Sequence, residues 1–140
     1  MIMKTINNKY IYLFTILLFS FVIFSCKKDE GKLPNISFKG GTGYTSTSTI
    51  ATKNQTIMIG INASKAEGKD VLKTFNASSS FDGGVATTIV QESLSGSQGD
   101  NYSKDVSITT RNQSGAETYT FTVTNRDGIS NQVSLTLTVN

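Results

Sequence analysis

The 140-residue sequence has no histidine and no tryptophan, one cysteine and one proline. Without histidine, Ser/His/Asp and Cys/His catalytic arrangements and histidine-ligated metal centres are excluded. The single thiol has no partner within the chain, so no internal disulfide staples the fold. Without tryptophan, the apolar stacking faces on which sugar rings rest are reduced, beyond residue 26, to Tyr44, Tyr102 and Tyr119. Charged residues make up only 16% of the chain.

What is present divides the sequence sharply. Residues 11–24 form one uncharged, mostly apolar run, preceded by Lys4 and Lys9 and followed by the small Ser25. That is the layout of a secretory signal peptide over residues 1–25. As a helix the run would be roughly 21 Å long, shorter than the hydrocarbon core of a bilayer, so a permanent span is the weaker reading. Two of the 13 basic residues lie in this segment and all 10 acidic ones follow it, so the net charge of +3 falls to about +1 without it. No Lys/Arg cluster beyond Lys27 and Lys28 remains to hold a phosphate backbone, and nucleic acid is not an expected partner.

The stretch Ile23-Phe24-Ser25-Cys26 resembles a bacterial lipobox, with Phe24 bulkier than the usual residue at its position. The resemblance implies cleavage before Cys26 and a fatty acyl anchor, such as palmitate, on its thiol. The next four residues, Lys27, Lys28, Asp29 and Glu30, resemble the export signal of surface lipoproteins in Bacteroidetes-type bacteria. The implied location is the outer membrane, on the cell surface, with the periplasmic face as the other placement. The alternative is an ordinary cleaved signal followed by a stray cysteine. Residues 26–34, charged and containing Gly31 and Pro34, read as the lipidated cysteine and a linker.

Residues 35–140 carry strand signals. Ser, Thr and Asn abound, and apolar residues alternate with polar ones without helical spacing. Ile57, Ile59 and Ile61 share a parity, as do Tyr102, Lys104, Val106 and Ile108. Lys104 is expected near a strand end, where its ammonium reaches water. Leu72 and Phe75, three apart, break strict alternation and predict a bulge or a bend. The last two strands alternate most regularly, with Tyr119, Phe121 and Val123 on one and Val133, Leu135, Leu137 and Val139 on the other, across an Asn125-Arg126-Asp127-Gly128 turn. Seven or eight short strands predict an all-β, antiparallel sandwich.

The segment from Glu117 to Gly128, with Ser134 to Val139, is similar to the closing hairpin of PKD-like and related bacterial immunoglobulin-like domains. That resemblance implies an immunoglobulin-like fold and a role as spacer, adhesion module or binding accessory rather than as an enzyme.

The remaining chemistry is thin. Glu67, Asp70, Asp82, Glu92, Asp100, Asp105, Glu117 and Asp127 all fall in or beside turns or at strand ends, which predicts solvated carboxylates. No Asp-x-Asp-x-Asp-Gly loop is present, and neither a metal nor another cofactor is expected. Tyr44, after a glycine cluster, is the best exposed aromatic for a ligand, although a packing or turn role is the favoured reading. The expected function is a membrane-anchored, non-catalytic binding or adhesion module that contacts a glycan or an envelope protein. The other reading is a purely structural subunit of an envelope complex.

Overall fold

A computed structural model describes residues 31–140; the signal segment, Cys26 and the run of residues 27–30 lie outside them. Eight strands form where the alternation predicts them: β1 (Asn35–Phe38), β2 (Thr49–Ala51), β3 (Thr56–Ser64), β4 (Leu72–Phe81), β5 (Thr87–Ser93), β6 (Asn101–Thr109), β7 (Gly115–Asn125) and β8 (Ser130–Val139). One 3-10 turn, Gly96–Gly99, joins β5 to β6. The strands build a three-stranded sheet in the order β1-β3-β6 and a five-stranded sheet in the order β2-β8-β7-β4-β5. The domain is an immunoglobulin-like sandwich. Among the described residues no helix is long and apolar enough to cross a membrane.

One pairing departs from the antiparallel expectation. β2 runs parallel to β8, with Thr49 opposite Leu137 and Ala51 opposite Val139. The chain reaches β2 from β1 and leaves it for β3, both in the other sheet, so β2 meets β8 by a crossover and no hairpin imposes an antiparallel direction. The bulge expected around Leu72 is there: the β4–β7 register shifts between Leu72 and Thr74. A second shift, between Ala77 and Ser78, displaces β5.

The core lies between the sheets and follows the parity of the strands. β3 contributes Ile59 and Ile61, β4 Leu72, Phe75 and Ala77, β7 Tyr119, Phe121 and Val123, and β8 Leu135, Leu137 and Val139, all buried. Aromatic rings connect the two layers. Phe38 of β1 meets Phe121 edge-on at 5.9 Å, Phe121 stacks with Phe75 at 6.4 Å, and Phe75 tilts against Tyr102 of β6 at 5.1 Å. Such pairs hold the sheets in one relative position as well as burying area.

The domain begins before Asn35. Pro34 is fully buried, its carbonyl accepts from Asn131 Nδ2 at 2.8 Å, and the Lys32 carbonyl accepts from Asn125 Nδ2 at 3.2 Å. Residues 32–34, which composition assigns to the linker, are therefore fastened to the sandwich by two amide side chains from the far end of the sequence.

Burial on β8 makes a direct test. Leu137→Ala, at a site with no exposed surface, should lower the unfolding free energy by about 2–5 kcal/mol. Thr138→Ala, one residue along and on the wet face, should stay within roughly 0.5 kcal/mol of the parent in denaturant titration.

Candidate functional site

Three polar clusters and two outer sheet faces are the places where chemistry is concentrated. The first cluster closes one end of the sandwich. Glu117 has the same parity on β7 as Tyr119 and Phe121, and its side chain is fully buried. Its Oε1 accepts from the Arg111 backbone N–H at 2.8 Å and from Arg111 Nε at 3.0 Å, and its Oε2 accepts from the Tyr119 hydroxyl at 2.6 Å. The guanidinium also donates through Nη1 to Asp82 Oδ2 at 3.0 Å and lies 4.4 Å from the Phe81 ring centre. Asp82 Oδ1 accepts from the Ala116 N–H at 2.8 Å. Gly115, at φ +152, is required here, since a Cβ on it would stand 2.2 Å from Asp82 Oδ1.

Solvation is thus the wrong expectation for Glu117, and it is wrong for Asp70 too. Asp70 is buried, and its Oδ2 accepts from Asn125 Nδ2 at 2.7 Å. The side-chain oxygen Oδ1 of Asn125 in turn accepts from the N–H groups of Asp127 and Ile129, shaping the β7–β8 turn. Each carboxylate is held by donors that replace water. The signal for Glu117 and Asn125 is in the sequence: they occupy the two ends of the odd-numbered row that holds Tyr119, Phe121 and Val123.

The second cluster contains Tyr44. Its ring packs over β3 at Gly60, where an added Cβ would approach the ring to 2.7 Å and Lys39 Cδ to 2.6 Å. The Tyr44 hydroxyl donates to Asp105 Oδ2 at 3.0 Å, and Lys39 Nζ donates to Asp105 Oδ1 at 2.5 Å. Tyr44 is consequently a half-buried latch between the β1–β2 connection and β6, in the packing role weighed against a ligand platform.

In the third cluster Lys104 and the Tyr102 hydroxyl both donate to Glu92, tying the edge of one sheet to the edge of the other. The Lys104 ammonium, expected in water, is spent on this carboxylate. Hydrogen bonds from these partners hold three carboxyls below their usual range: Arg111 and the Ala116 N–H act on Asp82, Lys104 and Tyr102 on Glu92, and Lys39 and Tyr44 on Asp105. Burial first, and then the neighbouring glutamate, raises the phenols of Tyr102 and Tyr119.

Among the described residues every buried side-chain nitrogen or oxygen has a partner, and no three of His, Cys, Asp and Glu converge as metal ligands. What faces solvent is largely neutral. On the five-stranded sheet, Thr118, Thr120, Thr122 and Thr124 of β7 line up opposite Ser80, Ser78, Asn76 and Thr74 of β4. On the three-stranded sheet, a shallow concavity of about 390 Å³ opens over Asn and Ser side chains of β1, β3 and β6.

No protein-family model matches the chain, and no match is found among curated proteins. Solved structures do share its fold. A superoxide reductase (neelaredoxin) from Ignicoccus hospitalis aligns over 78% of this chain and 81% of its own, with a TM-score of 0.52 at 6% identity. A point variant of that protein aligns over 83% and 86%, with a TM-score of 0.54 at 8% identity. A CARDB domain from Pyrococcus furiosus, solved with di-metal ions, covers 79% of this chain and 91% of its own at 15% identity and a TM-score of 0.46. At these identities the first two likenesses show a common strand arrangement.

Two outcomes follow from the clusters. Glu117→Ala leaves the Arg111 donors and the Tyr119 hydroxyl without their acceptor, and should destabilise the domain by about 3–5 kcal/mol in denaturant titration. Because Asp82, Glu92 and Asp105 are lowered in the folded state, their stabilisation is complete above the ordinary carboxylate range and is lost as pH falls through the lowered values. The thermal midpoint should therefore stay level from about pH 8 to about pH 5 and decline below about pH 4, measured by circular dichroism.

Proposed function

We propose that the protein is a membrane-anchored, cell-surface lipoprotein whose sandwich serves as a non-catalytic binding or adhesion module. The observation that carries this reading is the disposition of charge. Asp82, Glu92, Asp105 and Glu117 are each engaged by a cation and a second donor within the domain, whereas both outer faces present hydroxyl and amide side chains. Carboxylates so engaged hold the scaffold rigid, and a rigid neutral surface suits recognition. The anchor is Cys26, and the charged run that follows it directs export to the outer leaflet of the outer membrane.

A second reading, a structural subunit of an envelope complex, draws on β5. This edge strand has no lysine or proline, and Ile89 on it and Val85 just before it are exposed, so its free side is open to lateral pairing.

Metabolic labelling with a fatty acid analogue tests the anchor: label should enter the intact chain and be absent from Cys26→Ala, and equal labelling of both would exclude it. Protease added to whole cells should remove the domain from the surface lipoprotein. Full protection in a cell preparation that loses its other surface proteins would assign the periplasmic face instead.

A further inference from the structure

We infer that the Asn/Ser concavity on the outer face of the three-stranded sheet is a binding site for an uncharged oligosaccharide chain, a ligand class that deepens, and rests on, the binding-module reading. The site is made by register. Asn35 of β1 pairs with Ser64 of β3, and Ser64 with Asn101 of β6; one step along, Ser37 pairs with Asn62, and Asn62 with Ser103. Amide and hydroxyl therefore alternate in both directions, as two rows of three.

Three features favour a neutral, hydroxyl-rich ligand. The first is donor and acceptor balance: each primary amide offers two N–H donors and a carbonyl acceptor, and each hydroxyl offers both functions, which is the complement of neighbouring sugar hydroxyls. Part of that capacity is used to orient the site, with Asn35 Nδ2 donating to Ser64 Oγ at 3.2 Å and Ser103 Oγ donating to Asn62 Oδ1 at 3.1 Å. The Asn62 and Asn101 side chains line the concavity and bring their amide groups to it. The second feature is charge. The rows contain none, and the ion pairs that frame them, Lys65–Asp100 at 2.6 Å on one side and Lys39–Asp105 at 2.5 Å on the other, are each neutral. An anionic or cationic ligand would lose hydration here without a counter-charge, whereas a neutral one would not. The third is shape. The side chains are short, the floor is strand backbone, and neighbouring groups stand about 4.8 Å apart across strands and about 6.8 Å along them, so an extended chain can bridge several at once. The volume of about 390 Å³ is within the range of small-ligand sites.

No aromatic ring is presented, since the Tyr102 side chain turns inward to Glu92. Recognition rests on hydrogen bonds and is modest for a single unit, and many anchored copies on one membrane would raise it by avidity.

The test is affinity electrophoresis of the full chain in gels cast with a mixed-linkage β-glucan, an α-1,4-glucan, an α-mannan or, as an anionic contrast, polygalacturonate. The expected result is retardation in at least one neutral gel and none in polygalacturonate. Asn62→Asp keeps the oxygen that accepts from Ser103 and removes both amide donors, so it should weaken retardation at least tenfold, as should Asn101→Ala. Thr122→Ala, on the outer face of the other sheet, should leave it unchanged, and so should raising the salt several-fold. No retardation in any neutral gel, retention by polygalacturonate alone, or retention indifferent to Asn62→Asp in a variant with parental thermal stability would overturn the assignment. Failure of the underlying reading looks different. Retardation that persists while fatty acid label fails to enter at Cys26 would remove the anchor and leave the site standing. An inert concavity in a labelled, surface-exposed chain would do the reverse.

Discussion

The inward row of β7 is the constraint on which the rest of the domain depends. Five alternate residues, Glu117, Tyr119, Phe121, Val123 and Asn125, all point into the sandwich from a strand flanked on both sides by long partners. A slip of one residue would exchange this row for four threonines and either Ala116 or Arg126, so burial locks the register. Its middle is apolar and joins the aromatic chain from Phe38 to Tyr102, while its two ends are polar and each is sealed by a partner from a different part of the sequence: Arg111 for Glu117 and Asp70 for Asn125. A core that finishes in satisfied polar groups has fixed ends. Apolar residues there would pack without specifying where the strand stops.

Those seals account for how the ends of the molecule look. Arg111, from the β6–β7 connection, reaches across to Asp82 in the β4–β5 turn, so two loops of the same end are held through one guanidinium. At the opposite end Asn125 gathers Lys32, Asp70 and its own turn. Both ends are consequently stiff, and in a sandwich whose loops are tied in this way the wide, neutral faces are the better place to look for recognition than the loops.

The fold was legible because each strand buries one face: the alternation of Ile57, Ile59 and Ile61, and of Val133 to Val139, can be read without knowing any partner. The parallel direction of β2 was not legible, since the strand is reached and left through strands of the other sheet and no hairpin fixes its sense. Glu117 was legible by parity and misread by type, because a carboxylate beside a turn is ordinarily in water and nothing in the local sequence announces Arg111 as its partner. Tyr44 shows the same limit from the opposite direction. Its exposure depends on Gly60 leaving room for the ring and on Asp105 receiving the hydroxyl, two positions distant in the chain. The Asn/Ser concavity lies furthest from reach, since Asn35, Asn62 and Asn101 become neighbours only through the register of three strands that no hairpin connects.

The parallel pairing of β2 with β8 has a consequence for the order of events in a growing chain. Ala51 cannot complete its bonds until Asn140, the residue that donates to its carbonyl at 3.1 Å, has been made. β3 likewise waits for β6, and β4 for β7, so three of the six strand pairings join an early segment to a late one, while β4–β5 and β7–β8 pair as consecutive strands. Such non-local topology folds slowly and gives little reward to a partial chain. A chain synthesised from its N-terminus therefore gains the pairing of β2 only when β8 is free to meet it, and the five-stranded sheet acquires that edge last.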